Sequence, residues 1–333
     1  MAKVSAKVSS NNKMMPSIIG AIAVMFAAAL WGVDGVVLTP RLYHLIDYIS
    51  VVVFLEHAIA FGFMMLFFVF SALFLRKMFS SDLKEFRSIG KRDWLAFLWI
   101  ALFGGAIGTM AITKSLLLVN FEHLSAVVIL QKLQPLFAIL LAMLILNERP
   151  RKEFYLWAVA ALAGSYLLTF GFDKPVFSGN ALFIASLYAM LAAFSFGSST
   201  VFGKRVTNKV NFRLATYIRF GLTSIVMLVV ISMLCFFTST NKFAGFSHVG
   251  HAELMILFII ALTTGGAAIF IYYFGLKRVM ASKATIYELA FPATAVLMDL
   301  LINKNMMNAG QWLGAVLVIG SMVRITRLKA GSR

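Results

Sequence analysis

A single cysteine, Cys235, stands in 333 residues, and it sits in an apolar run. One thiol excludes a disulfide framework and a cysteine-built metal site. Acidic residues are scarce, 13 against 30 Lys and Arg, and there are only five histidines. No HExxH motif occurs, and His44, His57, His123, His248 and His251 lack ligand spacing, so neither an enzyme nor a bound metal or cofactor is expected. Long polar stretches are missing as well. No hydrophilic gap exceeds about twenty residues, which leaves no room for a soluble catalytic domain.

What the chain has in abundance is apolar sequence: 61% hydrophobic residues against 13% charged, with a mean hydropathy of +0.90. Such a composition cannot fold as a soluble core with a solvated shell, and it points to an all-α polytopic membrane protein. Ten apolar stretches stand out: Ser17 to Leu38, Tyr48 to Leu75, Trp94 to Thr113, Leu124 to Leu146, Phe154 to Phe172, Gly179 to Phe202, Leu214 to Phe237, Leu254 to Gly275, Ser282 to Ile302 and Gln311 to Ile325. At 1.5 Å per residue the first nine can cross a hydrocarbon layer of about 30 Å, and the tenth is marginal. No small-residue cleavage signature follows the first stretch, which reads as a retained helix.

The net charge of +17 would suit a nucleic-acid partner, but the basic residues flank apolar segments instead of forming one stripe, so no nucleic acid is expected. Of the 30 basic residues, 23 fall in alternate gaps: Lys3, Lys7 and Lys13, then Arg76 to Arg92, Arg149 to Lys152, Lys204 to Arg213, Lys277 to Lys283, and the tail with Arg324, Arg327, Lys329 and Arg333. Cytoplasmic loops retain Lys and Arg during insertion, so both termini are expected inside a cell membrane. The other gaps hold Arg41, Lys174, Lys242 and Lys304, while Lys114, Lys132 and Arg219 lie in or at the edges of spans.

The chain also repeats itself. A shift of 157 positions places Gly108 on Gly265, Ser125 on Ser282, Gln131 on Glu288 and Pro135 on Pro292, and a shift of 165 places Gly32 on Gly197. Five spans per half is an odd number, so the halves enter the membrane from opposite sides as an inverted repeat. The expected organisation is a cytoplasmic tail (1–16), a first five-helix repeat (17–172), a second (173–325) and a basic tail (326–333). Inverted repeats supply many secondary transporters with two exchangeable conformations; a static channel or scaffold is the alternative.

The run Ser125-Ala126 through Gln131-Lys132-Leu133-Gln134-Pro135 to Leu146-Asn147-Glu148-Arg149-Pro150, with Ala29 to Gly32 (Ala-Leu-Trp-Gly) in the first span, resembles the EamA-type family of the drug/metabolite transporter superfamily. The resemblance covers nearly the whole chain. It implies ten helices and export of amino acids, other small metabolites or drugs. Two departures stand out. A second-span position that is commonly Arg in the family is Glu56 here, while its counterpart keeps Arg219. The second half ends Asn303-Lys304-Asn305 where a Gly-Glu pair is usual.

Ionisable groups inside a bilayer are costly and mark candidate sites. Thr285, Glu288, Pro292, Ala295 and Asp299 fall at helical spacing on one face. Glu288 is the candidate for proton coupling, or a structural ion-pair partner of Lys132. Gln131 and Gln134 place amides around Pro135, and Pro135 and Pro292 each free a backbone carbonyl four residues upstream, either as plain kinks or as the broken helices of a binding site. Asp34 and Trp31 share a face of the first span. Ser195, Ser198 and Ser199 share a face of the sixth, as substrate contacts or as interhelical glue. Glu56 could gate the outer mouth. Tyr272, Tyr273, Phe270 and Trp31 could wall an apolar or cationic substrate. The substrate-binding candidates are thus Trp31, Asp34, Glu56, Gln131, Lys132, Gln134, Ser199, Tyr272, Tyr273 and Glu288.

These residues predict a secondary transporter working by alternating access on a small metabolite, an amino acid by the mixed deep charges, moved outward by the resemblance. A lipid flippase or a multidrug exporter on the same scaffold is the alternative. Membrane lipids and, at most, a second copy of the chain are the other expected partners.

Overall fold

The computed structural model describes residues 2–118, 130–173, 180–304 and 306–328. Every regular element among them is helical. Among the described residues nine helices are long and apolar enough to cross a bilayer: Met15–Val37, Ile49–Phe74, Lys91–Ser115, Lys152–Phe170, Leu182–Lys209, Phe212–Thr238, His251–Leu276, Ala281–Ile302 and Ala309–Arg327. A shorter apolar helix, Gln134–Leu146, occupies the fourth expected stretch. The beginning of that stretch, Leu124 to Ile129, lies outside the described residues, as do Gly179, Lys174 and Asn305. The helix that holds the first span already begins at Ala2.

Large apolar side chains such as Phe70, Leu156, Val159, Phe183, Ile225 and Phe236 face outward, whereas Ala27, Ala28, Ala189, Ala192 and Ala193 are fully buried. That inversion of a soluble protein is what lipid requires. Helices surrounded by hydrocarbon gain nothing from hiding apolar surface and associate through close packing, for which small residues clear the way. A Cβ on Gly314 would collide with the backbone of Leu168, and one on Gly310 would stand 2.7 Å from Gly171 Cα. The Gly310/Gly314 pair is therefore the seam between the Lys152–Phe170 and Ala309–Arg327 helices.

The hydrophilic gaps segregate to two ends of the bundle. At one end, the basic gaps meet each other. Arg213 pairs with Asp82 at 2.9 Å, Arg205 with Asp93 at 3.3 Å, and the Lys277 ammonium donates to the Val210 carbonyl at 3.2 Å. At the opposite end Tyr48 stacks on His248, and Lys242 donates to the Asp47 carbonyl at 3.5 Å. The basic gap after the second span is itself an amphipathic helix, Arg76–Arg87, that the hydropathy pattern does not announce. It docks through buried Asp82 and through Glu85, whose carboxylate accepts the Asn211 backbone N–H at 2.5 Å.

Special features recur at the offset of 157. Left-handed residues end the Gln134–Leu146 helix at Asn147 (φ 53°) and the Ala290–Asn303 helix at Lys304 (φ 61°). The helices that follow, Lys152–Phe170 and Ala309–Arg327, begin and end at matching positions. π-Helical turns widen Ile100–Ile107 and Ala261–Gly265, and these segments overlap when superimposed. Such turns are rare and concentrate at functional sites.

Candidate substrate site

Two helix breaks organise the interior. Regular helix stops at Lys132-Leu133, just before Gln134–Leu146 begins with Pro135, and again at Glu288-Leu289, between Ala281–Tyr287 and Ala290–Asn303. Proline supplies the cause, since neither Pro135 nor Pro292 can donate to the carbonyl four residues upstream. The Glu288 carbonyl instead accepts the Phe291 N–H at 3.0 Å, a tighter turn that reorients the chain. Each break is covered by a glycine from the other half. A Cβ on Gly32 would stand 2.6 Å from the Phe291 carbonyl oxygen, and one on Gly197 would stand 2.8 Å from the Gln134 carbonyl oxygen. Only a bare backbone lets these crossings form.

The Glu288 side chain is the hub of the polar interior. Its Oε2 accepts from Gln134 Nε2 at 2.6 Å, and its Oε1 accepts from Tyr272 Oη at 2.6 Å and from Thr200 Oγ1 at 3.1 Å. The Thr200 and Tyr272 hydroxyl oxygens lie 2.9 Å apart, so either one can donate to the other in place of its bond to Glu288. Four helices thereby converge on one carboxylate, through neutral donors. Aromatic rings wall it: Trp31 lies 5.3 Å from Tyr272, centroid to centroid, and Tyr272 lies 5.9 Å from Tyr273.

A second charge lies close by. Arg219, from the Phe212–Thr238 helix, donates to Tyr273 Oη at 3.3 Å and places its guanidinium 5.5 Å from that ring. Among the described residues it forms no hydrogen bond or salt bridge with Glu288. Ser198 accepts from Trp99 Nε1 at 2.9 Å and donates to the Ser195 carbonyl at 3.0 Å, while Ser199 fills the notch left by Gly104. Those serines fasten helices together.

Of the residues singled out in the sequence, Trp31, Gln134, Tyr272, Tyr273 and Glu288 come together here, framed by Pro135 and Pro292. Lys132 does not pair with Glu288; its ammonium sits 4.5 Å from the centre of the Phe291 ring. The pairing fails because Gln134, two residues further on, is the one that reaches the carboxylate. Gln131 is half-exposed outside the cluster. Asp34 accepts from Thr39 Oγ1 at 3.1 Å, and neither Asp34 nor Glu56 is among the groups bonded to Glu288. Thr200 was not legible as a site residue, because a threonine beside three serines reads as helix glue. Its only signal is adjacency to Ser199.

Glu148, just past the Gln134–Leu146 helix, ties that helix to the start of the Ala281–Tyr287 helix at the basic end. It accepts from the backbone N–H groups of Ala281 and Ser282 at 2.7 and 2.9 Å and from Ser282 Oγ at 2.6 Å, capping the Ala281–Tyr287 helix. A carboxylate at a helix N-terminus satisfies orphan donors and meets the positive end of the dipole.

Broken helices, a buried polar hub at their crossing and a latch at one end define the class as a polytopic membrane carrier. A model of the EamA-like transporter family matches residues 18–170 and again 183–327, and the chain belongs to that family: a transporter rather than an enzyme. The chain is 44% identical over 310 residues, 93% of its length and 98% of the relative's, to a protein named riboflavin transporter ImpX from Fusobacterium nucleatum subsp. nucleatum. A solved crystal structure, described only as that of a protein, superimposes with a TM-score of 0.64 at 15% identity, over 91% of this chain and 95% of that one. This last likeness concerns the fold.

Proposed function

We propose that the chain carries riboflavin or a closely related flavin across the cell membrane by alternating access. The observation that carries this reading is the 44% identity, over nearly the full length of both chains, to a protein named as a riboflavin transporter. The Glu288 hub supports it: carboxylate, amide and hydroxyl groups stand beside the Trp31 and Tyr272 rings, which matches a planar tricycle whose pyrimidinedione edge carries an N–H between two carbonyls. The zwitterionic amino acid suggested by mixed deep charges is the second reading, favoured by the nearness of Arg219 to Glu288.

In the same proposal ten helices form two inverted five-helix repeats, 17–172 and 173–325, with the basic end cytoplasmic and both termini inside. The double family match and the paired breaks, π-turns and left-handed caps support that layout. Glu288 is the candidate for proton coupling, since protonation would remove an acceptor shared by three donors.

The test is riboflavin flux through proteoliposomes, read by fluorescence in both directions and at two pH gradients, for the native chain, Glu288→Gln and empty vesicles. Saturable flux by the native chain that falls sharply in Glu288→Gln supports the reading, and its direction and pH response identify the coupling. Flux of an amino acid but not of riboflavin refutes it in favour of the second reading. Lipid translocation without solute flux points to a flippase.

A further inference from the structure

Arg219 is a buried charge with only part of its hydrogen-bonding capacity met. The residue is 9% exposed, its Nε has no hydrogen-bond partner, and the guanidinium's contact with another side chain's polar atom is the 3.3 Å bond from Nη1 to Tyr273 Oη. An arginine built purely for packing is normally surrounded by carbonyls or a carboxylate, because a guanidinium removed from water without them costs several kcal/mol. Here the facing helix presents a glycine, with the Ser199 side chain seated against it. Gly104, within the π-helical segment Ile100–Ile107, presents no side chain, and Arg219 Nη2 lies 3.9 Å from where a Cβ on it would stand.

The arrangement around it is divided between two neighbouring residues. Tyr273 holds the cation, Tyr272 holds the Glu288 carboxylate, and the two charges do not bond each other. An acceptor-rich interior region therefore lies beside a donor-rich one, with the aromatic wall of Trp31 and Tyr272 adjoining. A ligand that presents an N–H next to a carbonyl can serve both at once.

We infer that Arg219 is a specificity-determining residue that donates to a carbonyl oxygen on the pyrimidinedione edge of the transported heterocycle, while Glu288 and Gln134 read the adjoining N–H. This rests on the flavin reading above. Arg219 acts by direct contact, and Tyr273 is a positioning residue that aims the guanidinium.

The experiment is competition of riboflavin flux in proteoliposomes by analogues with sulfur in place of the C2 or C4 carbonyl oxygen and by N3-methylriboflavin. The native chain and Arg219→Gln are compared. Sulfur is a poor acceptor for a guanidinium, so the native chain should prefer oxygen to sulfur at one of the two positions by about tenfold. In Arg219→Gln the riboflavin KM should rise by about 10- to 100-fold, the scale of one hydrogen bond to a charged group, and the oxygen preference should vanish. Discrimination against the N3-methyl analogue should survive, since it is read elsewhere. An unchanged oxygen-to-sulfur ratio in a transporting Arg219→Gln protein overturns the inference, whatever happens to KM, and leaves the flavin reading intact. Absence of riboflavin flux in the native chain refutes both. If Arg219→Gln fails to insert, Tyr273→Phe keeps the charge but releases its aim; a reduced oxygen preference then supports the inference, and an unchanged one overturns it.

Discussion

Glu148 offers the sharpest perturbation, because its three bonds tie the end of the Gln134–Leu146 helix to the start of the Ala281–Tyr287 helix, and under the proposed alternating access they hold that end shut. Replacing it with Ala leaves the Ala281 and Ser282 N–H groups and the Ser282 hydroxyl without their acceptor. Hydrogen bonds to a charged group are each worth about 1.5–3 kcal/mol, and a carboxylate at a helix N-terminus adds about 0.3–1 kcal/mol, but water recovers most of this once the end opens. A net shift of about 1–3 kcal/mol is expected, equivalent to about 5–150-fold in the open population. The single native cysteine makes the assay clean. In a Cys235→Ser background, Val201→Cys places a thiol at a fully buried position, within the cluster of Ala138, Ala142 and Ala281 beneath the latch. Its maleimide labelling rate in detergent reports that population, and Glu148→Ala should raise it by the factor above. Labelling that stays at the parental rate, in protein of equal thermal stability, refutes the reasoning.

Within the hub, Tyr272→Phe removes a donor bonded at 2.6 and 2.9 Å, and Thr200→Val removes bonds at 3.1 and 2.9 Å, so flux assays should show Tyr272→Phe impaired at least as strongly as Thr200→Val. Gly314→Leu should abolish monodisperse protein in detergent by forcing the Lys152–Phe170 and Ala309–Arg327 helices apart, a strain of about 1–3 kcal/mol or more. Gly320→Ala, where a Cβ meets nothing within 4 Å, is the matched control. Asp82→Ala leaves Arg213 without its 2.9 Å partner at a site where the acid is 3% exposed, and should cost about 2 kcal/mol, read as a lowered melting temperature. Sidedness is tested by an impermeant maleimide on whole cells carrying one cysteine each: Ser239→Cys should label and Ser80→Cys should not.

The sequence carried the frame more clearly than the site. Long apolar runs translate directly into spans, since the bilayer forces every backbone donor into a helix, and the shift of 157 already superimposes the two prolines at which the helices break. Two glycines at crossings were visible in part, because the shift of 165 already sets Gly32 on Gly197 and each serves a purpose that only the smallest residue fulfils. The partners of Glu288 were not visible. Span periodicity ranks faces within one helix but carries no information on how far a neighbouring helix is rotated or shifted along its axis. A difference of two or three residues in that register selects Gln134 over Lys132 or Gln131. The same blindness hid Thr200, and it left Asp34 and Glu56 grouped with a cluster from which the structure separates them. The Arg76–Arg87 helix was missed for another reason: a charged, amphipathic segment lying at the bundle's end looks like a loop to a hydropathy scale.

The two segments that match the family model share backbone landmarks at an offset of 157 but differ in charge, and under the proposed inverted repeat that difference has a testable consequence. The shift that relates Asn147 to Lys304 relates Glu148 to Asn305 and Ser282 to Ser125. Ser125 and Asn305 lie outside the described residues, so the argument runs on sequence alone. If the second half uses the same latch at the opposite end, it does so with a neutral amide. An amide offers one acceptor oxygen where Glu148 offers two charged ones, and it brings no charge to the helix dipole. The end sealed by Glu148 is then the more tightly closed of the two. Asn305→Glu should equalise the latches, favour closure at the opposite end and raise the labelling rate of Val201→Cys, while Asn305→Gln should not. Adding Glu148→Ala to Asn305→Glu should raise it further than either change alone. Labelling that Asn305→Glu leaves unchanged would show that the second half closes by a different set of contacts, and that the inherited symmetry does not extend to its seal.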